Sequence, residues 1–307
     1  MMRIANAPCS WGVLEFDLEG KAAGYAQVLD EMVASGYEGT ELGDWGFMPT
    51  DPAQLKAELE ARKLSLLGAF VPVLLKDRAA HRPGIETALR TARLLAEVQP
   101  GNPWLNQPKP FIILSDDNGK DFRRTRFAGR VTPQMGMSES DWQAAAQGAE
   151  TLARAVRDET GLRTVFHHHC GGFIETPAEI EMLLQRTDPA LLGLCLDTGH
   201  YRFAGGDPLK ALRQYAGRVW HIHFKDCQGE IAARSRAEGW DYFQSVREGV
   251  FCELGKGEID FTALRIQLEM SAYQGWIVVE QDVLPGMGSP LESATRNRDY
   301  LRTISLI

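Results

Sequence analysis

The sequence predicts an α/β protein, a (β/α)8 barrel in which residues 1–307 form a single domain. Eight short apolar segments alternate with helical patterns along the chain, as a barrel requires. The last four of these segments end in imidazole or carboxylate side chains, and strand C-termini converge on the barrel face where active sites are built. A length of 307 residues is normal for such a barrel with insertions.

The eight strand candidates are near-continuous apolar runs, which parallel strands buried on both faces require. In chain order they are residues 3–9, 38–42, 65–71, 111–115, 164–169, 194–200, 219–226 and 276–282. The last four of them carry the possible metal ligands, which predicts one metal centre where their ends meet.

Helical patterns lie between the strands. Apolar residues recur at helical spacing from Tyr25 to Ser35, and Gly36 follows as a helix-ending residue. An alanine-rich helix is predicted from Ser138 to about Glu159. Further helix starts are predicted where a capping residue precedes proline, at Thr50-Asp-Pro52, Thr176-Pro177 and Asp207-Pro208.

Two connections are longer than a simple barrel needs. The first insertion, residues 116–137, follows strand four, and the second insertion, residues 226–258, follows strand seven. Both follow strands and would lie over the catalytic face, where long loops act as lids or binding segments. The second insertion also has a helical pattern around 232–247.

Composition narrows the class of protein. The net charge of -8 and the pI near 5.5 oppose a nucleic-acid-binding surface, which would need a basic stripe. We expect a cytoplasmic enzyme, because no signal peptide or membrane span is evident. The five cysteines lack a CxxC pair and are expected to be reduced, with Cys9 and Cys170 near the predicted site.

Side-chain alternation along a strand groups the candidate ligands. It places His167 and His169 on one face, with His168 on the other, and it pairs Glu280 with Asp282. Imidazole and carboxylate together suit Mn, Co, Fe or Zn. Any one of these residues could be structural, but ionisable groups at the ends of four successive buried strands would be costly to leave dry and unpaired.

The sequences Asp197-Thr-Gly-His200 and His223-Phe-Lys-Asp226, with Glu280, resemble the xylose isomerase-like TIM barrel superfamily. This resemblance implies one metal ligand from each of strands five to eight. Carried over by position, the ligands are His167, Asp197, His223 and Glu280. Many relatives have Glu on strand five, so His169 or Glu175 remains an alternative to His167.

A narrower resemblance is to the inosose dehydratase branch, and it runs from the first strand to the last. It is weakest between about Asp77 and Ala145. Its motifs here are Ala7-Pro-Cys-Ser-Trp-Gly12, Gly36-Tyr-Glu-Gly-Thr-Glu-Leu-Gly43, Pro49-Thr-Asp, His167-His-His-Cys-Gly171, Phe251-Cys-Glu-Leu-Gly-Lys-Gly257 and Val279-Glu-Gln-Asp282. The resemblance implies water elimination from a keto-polyol such as 2-keto-myo-inositol in inositol catabolism. It also implies one divalent ion, with Mn or Co favoured over Zn, Fe or Mg, and a homodimer or tetramer.

Elimination beside a ketone needs a polarised carbonyl, removal of an α-proton and protonation of the leaving hydroxyl. We expect His169, His200 and Glu41 to handle protons and Lys225 to hold a substrate oxygen or the developing enolate. The substrate-binding candidates are Trp11, Trp45 and Asp282; the two tryptophans would stack on the ring or else pack in the core.

Two other functions remain open from the sequence. An isomerase or epimerase would begin with the same proton removal, and a barrel without catalysis would only bind a polyol or a protein. A nuclease is disfavoured by the acidic charge. A phosphorylated substrate is not favoured, because no glycine-rich loop with a lysine is found, although the arginines from Arg123 to Arg130 leave it open.

Overall fold

The structure, a computed structural model, describes residues 2–13, 23–99, 101, 108–284 and 286–307. The strands are β1 Arg3–Asn6, β2 Gly39–Thr40, β3 Ser65–Leu66, β4 Gly68–Pro72, β5 Phe111–Ser115, β6 Arg163–His167, β7 Leu192–Asp197, β8 Val219–Phe224, β9 Asp226–Cys227, β10 Phe251–Cys252 and β11 Trp276–Val279. The α-helices are α1 Tyr25–Ala34, α2 Pro52–Arg62, α3 Arg78–Val98, α4 Phe122–Arg126, α5 Glu139–Thr160, α6 Pro177–Arg186, α7 Thr198–Phe203, α8 Pro208–Gln214, α9 Gly229–Glu238, α10 Tyr242–Arg247, α11 Phe261–Met270 and α12 Pro290–Thr303.

Nine of the strands form one parallel sheet in the order β3-β2-β1-β11-β8-β7-β6-β5-β4. Its two end strands, β3 and β4, are separated by Leu67 alone and pair with β2 and β5, respectively. One stretch of chain therefore joins both ends of the sheet, and the barrel is nearly closed. The predicted (β/α)8 barrel is confirmed, with its third strand split in two.

The predicted helix starts are confirmed, and their caps explain them. The Asp51 side chain accepts a hydrogen bond from the Gln54 amide at the start of α2. Ser138 and Thr176 form capping boxes at α5 and α6, so each satisfies amides that the first helical turn leaves unpaired. The long helix α3, which lies in the stretch that the sequence left uninterpreted, is an addition to the predicted elements.

The first strand is shorter than predicted. It ends at Asn6, and residues Pro8–Trp11 form a 3-10 helix instead. Proline lacks the amide that a central strand would need, so the chain leaves the sheet at this point. The other predicted strands agree with the structure within a few residues, and β5 agrees at both ends.

The two insertions form helices over the C-terminal ends of the strands. The first insertion contains α4, and the second contains α9 and α10 between the paired strands β9 and β10. Below them, small and branched side chains fill the lumen, among them Ile113, Val165 and Cys195. None of the helices that the structure describes combines the length and apolar character needed to span a bilayer.

Candidate active site

Four candidate ligands meet at the C-terminal end of the barrel. His167 ends β6, Asp197 ends β7, His223 lies near the end of β8, and Glu280 directly follows β11. The parallel register sets Asp197 opposite His223, so neighbouring strands bring their ends to the same height. Asp197 also caps α7, because its Oδ1 accepts a hydrogen bond of 2.8 Å from the His200 amide.

The four side chains point at a common position. One ligand atom from each of the four lies within 4.8 Å of the others, and all four residues are buried. Asp197 Oδ2 is 3.6 Å from His167 Nε2 and 3.8 Å from His223 Nδ1. His223 Nδ1 is 3.0 Å from Glu280 Oε2. The structure therefore brings together the four residues that the sequence resemblance assigned to a metal.

The chemistry of this cluster fits a divalent metal ion. Among the described residues, His167 Nε2, Asp197 Oδ2 and His223 Nδ1 are buried and make no hydrogen bond. Buried polar atoms without hydrogen bonds are costly. Charged neighbours lie close to two of them, Lys225 at 3.2 Å from Asp197 Oδ2 and Glu280 at 3.0 Å from His223 Nδ1, and a shared cation would bind all three. Burial lowers the pKa of His167, which keeps its imidazole in the neutral form that binds metals.

Glu41 orients one of these ligands. Its Oε1 accepts hydrogen bonds from His221 Nε2 at 2.7 Å and from His223 Nε2 at 2.9 Å. Burial alone would raise the pKa of Glu41, but His223 and His221 outweigh burial and hold it far below its usual range. This geometry favours a positioning role for Glu41 over the proton transfer expected from the sequence.

His169 has a defined tautomer. Its Nδ1 lies 2.6 Å from the Cys170 carbonyl oxygen, which can only accept, so Nδ1 carries the hydrogen and Nε2 is the basic nitrogen. Burial, followed by the neighbouring His200, lowers the pKa of His169 well below its ordinary value. His169 is therefore a neutral imidazole on the cavity wall and can accept a proton.

Lys225 links both sides of the cavity. Its ammonium lies 3.2 Å from carboxylate oxygens of Asp197 and Glu280 and 2.8 Å from Asp282 Oδ1. It also lies 3.0 Å from His200 Nε2. His200 Nε2 also lies 3.4 Å from Asp282 Oδ2, so this nitrogen is already engaged by two groups and is less suited than His169 to take a substrate proton.

Tyr242 is a site residue that sequence reasoning missed. Its hydroxyl donates to Asp282 Oδ2 at 2.8 Å and lies 3.3 Å from His169 Nε2. The available signal was its position in the second insertion, which was expected to cover the catalytic face. Residue type gave no further indication, because a tyrosine in a helical pattern usually packs in a core.

A cavity with about 520 Å³ of empty space, part of it open to solvent, lies beside these groups. Acidic and basic side chains share its wall with apolar ones. Its described lining residues are Ala7, Pro8, Cys9, Val13, Glu41, Gly43, Asp44, Phe70, His167, His169, His223, Lys225, Glu280 and Asp282.

Trp11 and Trp45, predicted either to stack on the substrate ring or to pack in the core, are not among the described residues that line this cavity. Trp11 is buried and its Nε1 donates to Glu31 Oε2 at 2.7 Å. The Trp45 ring lies under the Arg90 guanidinium, 4.1 Å from it. Both rings are held by other side chains, Trp11 in the core and Trp45 at the surface, where it is 36% exposed.

Glu175, one alternative for the strand-five ligand, lies outside the cluster. Its two carboxylate oxygens accept hydrogen bonds from the amides of Gly129, at 2.7 Å, and Gly171, at 2.8 Å. It therefore joins the first insertion to the loop that follows β6. His169, the other alternative, also lies outside the four-residue cluster and faces Tyr242 and Asp282.

Three of the four arginines of the first insertion, Arg124, Arg126 and Arg130, are engaged within the protein. Arg124 is fully buried and forms a two-pronged ion pair with Glu179. Arg126 and Arg130 donate to the carbonyl oxygens of Gly239 and Trp240 in the second insertion. None of these arginines is among the described lining residues of the cavity.

Comparison with known proteins identifies close similarity over the full length. A family model described as xylose isomerase-like TIM barrel matches residues 29–304. An inosose dehydratase of Lacticaseibacillus casei is 31% identical over 300 residues, covering 98% of this chain and 96% of that protein. An inosose dehydratase of Geobacillus kaustophilus (strain HTA426) is 32% identical over 302 residues, covering 97% of this chain and 93% of that protein. The resemblance found in the sequence is confirmed.

Solved structures agree on the fold. An L-ribulose 3-epimerase superposes with a TM-score of 0.69 at 15% identity, covering 99% of this chain and 94% of that one. A probable 3-DHS dehydratase from Bacillus anthracis superposes with a TM-score of 0.68 at 15% identity, covering 98% of this chain and 99% of that one. At such identities the two structures support the barrel alone, since one architecture serves many reactions.

Proposed function

The chain belongs to the xylose isomerase-like TIM barrel family, and on that premise we propose that it is a metal-dependent dehydratase of a keto-polyol such as 2-keto-myo-inositol. The observation that carries the proposal is the cluster of four buried ligands in a chain whose full-length relatives are named inosose dehydratase. A dehydratase is a carbon–oxygen lyase, and the reaction forms an enone or its diketone tautomer and water.

The ion would be held by His167, Asp197, His223 and Glu280, with Mn or Co as the favoured metal. When bound, a divalent ion polarises a carbonyl oxygen and so acidifies the adjacent C–H bond. Glu41 fixes the ring of His223 so that Nδ1 faces the cluster. Such supporting carboxylates orient ligating imidazoles and raise their basicity.

His169 is the best candidate for the base. It is neutral, its Nε2 is the basic nitrogen, and it lines the cavity beside Asp282 and Lys225. In the proposed reaction Nε2 takes the α-proton from the substrate. The resulting imidazolium then gives that proton to the departing hydroxyl, which leaves as water.

This arrangement favours elimination over epimerisation. An epimerase that works through proton exchange needs proton-transfer groups on both faces of the reacting carbon. Here the second candidate, Glu41, is held by two imidazoles, and His200 Nε2 is held by Lys225. An isomerase or epimerase remains the alternative function, because its first step would be the same.

The cavity wall favours an uncharged substrate. Among the described lining residues, the carboxylates of Glu41, Asp44, Glu280 and Asp282 stand beside one ammonium, that of Lys225. A phosphorylated sugar would be repelled by these carboxylates, whereas hydroxyl groups can donate hydrogen bonds to them. Lys225 lines the cavity, which supports the role proposed for it, to hold a substrate oxygen or the developing enolate.

Asp197→Asn tests the proposal. Asparagine keeps the cap of α7 but removes the charge from the ligand cluster, so the barrel should fold while metal binding and turnover are lost. Metal content would be measured directly, and turnover of 2-keto-myo-inositol followed by ultraviolet absorbance with Mn or Co. Asp207→Asn, at the cap of α8 and away from the ligands, is the matched control and should stay active.

Two outcomes would redirect the assignment. Conversion of the substrate to a stereoisomer, seen by NMR without a rise in absorbance, would establish the epimerase alternative. Stoichiometric metal without turnover on any keto-polyol would indicate a barrel that only binds. Full turnover in Asp197→Asn would remove the four-ligand cluster from the mechanism altogether.

A further inference from the structure

Tyr242 is the point at which the second insertion enters the active site. It lies at the start of α10, and its side chain is 2% exposed. Its hydroxyl contacts Asp282, which follows β11, and His169, which follows β6. In the sheet these two strands lie on opposite sides of β8, the strand that precedes the second insertion. One side chain from a surface insertion thus touches two groups that converge on the cavity.

We propose that Tyr242 is a positioning residue that holds Asp282 and His169 in their working orientations. The inference rests on the proposed function, and it adds the second insertion to the catalytic machinery. Tyr242 is not among the described residues that line the cavity, so it acts through these two side chains.

The contacts of Asp282 show how Tyr242 helps to fix its carboxylate. Lys225 binds Oδ1 at 2.8 Å, and Tyr242 binds Oδ2 at 2.8 Å, so the two bonds fix both the position and the plane of the carboxylate. With the Tyr242 bond removed, Oδ2 keeps only its longer contact with His200 Nε2, at 3.4 Å, so the plane of the carboxylate is held less firmly. The hydroxyl oxygen also lies 3.3 Å from His169 Nε2 and limits the tilt of that ring by contact, not by a second hydrogen bond; the other nitrogen of the ring is held by the Cys170 carbonyl.

The insertion is held firmly enough to serve as a support. Arg130 Nη1 donates to the Trp240 carbonyl at 2.6 Å, and Arg126 donates to the Gly239 carbonyl. Trp240 and Gly239 directly precede the α10 cap, Asp241. The Ser235 and Ser245 hydroxyls, 2.6 Å apart, join α9 to α10. These bonds fix the helix that carries Tyr242.

Tyr242→Phe removes the hydroxyl and keeps the ring. In the metal-loaded enzyme we expect kcat to fall about tenfold with KM nearly unchanged, since one orienting hydrogen bond is lost and the cavity wall is intact. Arg130→Met, which loosens the insertion, should give a smaller loss with the same kinetic pattern. Tyr37→Phe is the matched control, because Tyr37 is a buried tyrosine whose hydroxyl donates to the Ala294 carbonyl at 3.0 Å, far along the chain.

A second readout does not depend on turnover. In protein labelled with [15N]histidine and loaded with diamagnetic Zn, the His169 ring signals, assigned by their loss in His169→Asn, should move in Tyr242→Phe and stay in place in Tyr37→Phe. If the wild-type protein lacks turnover but these signals move, the positioning role stands and the proposed reaction fails. Unmoved His169 signals, or equal kinetic losses in both tyrosine variants, would overturn the inference.

Discussion

The two nitrogens of His223 have separate partners, and this separation matters at the scale of a single residue. Nε2 donates to Glu41 Oε1, so in the neutral imidazole that would bind a metal the lone pair lies on Nδ1, which faces Glu280 and Asp197. The tautomer of the ring is thereby set by a group outside the ligand cluster. A carboxylate behind an imidazole also strengthens that imidazole as a ligand.

Glu41→Gln tests this arrangement. Glutamine has one acceptor and one donor group, so it cannot reproduce a charged oxygen that accepts from two imidazoles. We expect metal affinity to fall by roughly 10- to 100-fold, measured by titration calorimetry with Mn or Co. Glu31→Gln is the control, because Glu31 accepts one bond from an aromatic ring, that of Trp11, and should retain full affinity. Equal affinities in all three proteins would contradict the role given to Glu41.

At the scale of an element, Asp226 closes the base of the second insertion. Its carboxylate accepts hydrogen bonds from the amides of Cys227, Gly255, Gly257 and Ile259, which lie at the two ends of the insertion. Asp226 therefore holds the loop that follows its strand. One carboxylate thus fixes both ends of the second insertion, residues 226–258.

Asp226→Asn should loosen this insertion without unfolding the barrel. The asparagine amide would direct N–H groups at backbone amides that need an acceptor, so about 3 kcal/mol of local stability is expected to be lost. Limited proteolysis would detect the change as faster cleavage within residues 226–258. Asp260→Asn, at the cap of α11, should leave that rate unchanged. A cleavage pattern identical to that of the wild type would show that other contacts hold the insertion.

At the scale of the whole molecule, two buried acids join loops over the barrel mouth. Burial raises the pKa of Glu175 to about 7, and burial likewise raises that of Asp116 to about 6. Asp116 accepts a hydrogen bond from the Phe173 amide, while Glu175 holds Gly129 and Gly171. The folded state therefore binds the protons of both acids more tightly than the unfolded chain does.

The stability of the protein should consequently fall as the pH rises. The contribution of Glu175 is complete below its unfolded pKa, about 4.3, and is lost as pH rises through its folded value. Its shift to about 7 corresponds to roughly 3 kcal/mol. Denaturant unfolding at about pH 5 and about pH 8 should show a smaller difference in Glu175→Gln than in the wild type. The same difference in both would remove Glu175 as a source of the pH dependence.

Much of the fold and of the ligand cluster could be predicted because both follow from short-range patterns. Alternation along a strand separated His167 and His169 from His168, and the shared direction of parallel strands brought the ends of neighbouring strands together. Capping boxes such as that of Thr176 and Glu179 mark the start of a helix within four consecutive residues, so they can be recognised in the sequence. The full set of four ligands came from the family resemblance.

The roles that could not be predicted depend on contacts between distant segments. Tyr242 reaches Asp282 across 40 positions, and Trp11 finds its partner Glu31 on α1. Glu175 has the residue type of a metal ligand, but its two carboxylate oxygens accept hydrogen bonds from backbone amides instead. The partners of these side chains leave no pattern in the nearby sequence, because they depend on which loop packs over which strand end.

The links from Arg126 and Arg130 to the Gly239 and Trp240 carbonyls carry a consequence for protein engineering. Because each insertion supplies half of this contact, a designer who transplants one loop from a related barrel inherits donors without acceptors, or acceptors without donors. The two insertions are best exchanged together, as one cassette. Chimaeras that replace residues 116–137 and 226–258 as a pair should therefore retain more activity than chimaeras that replace either segment alone.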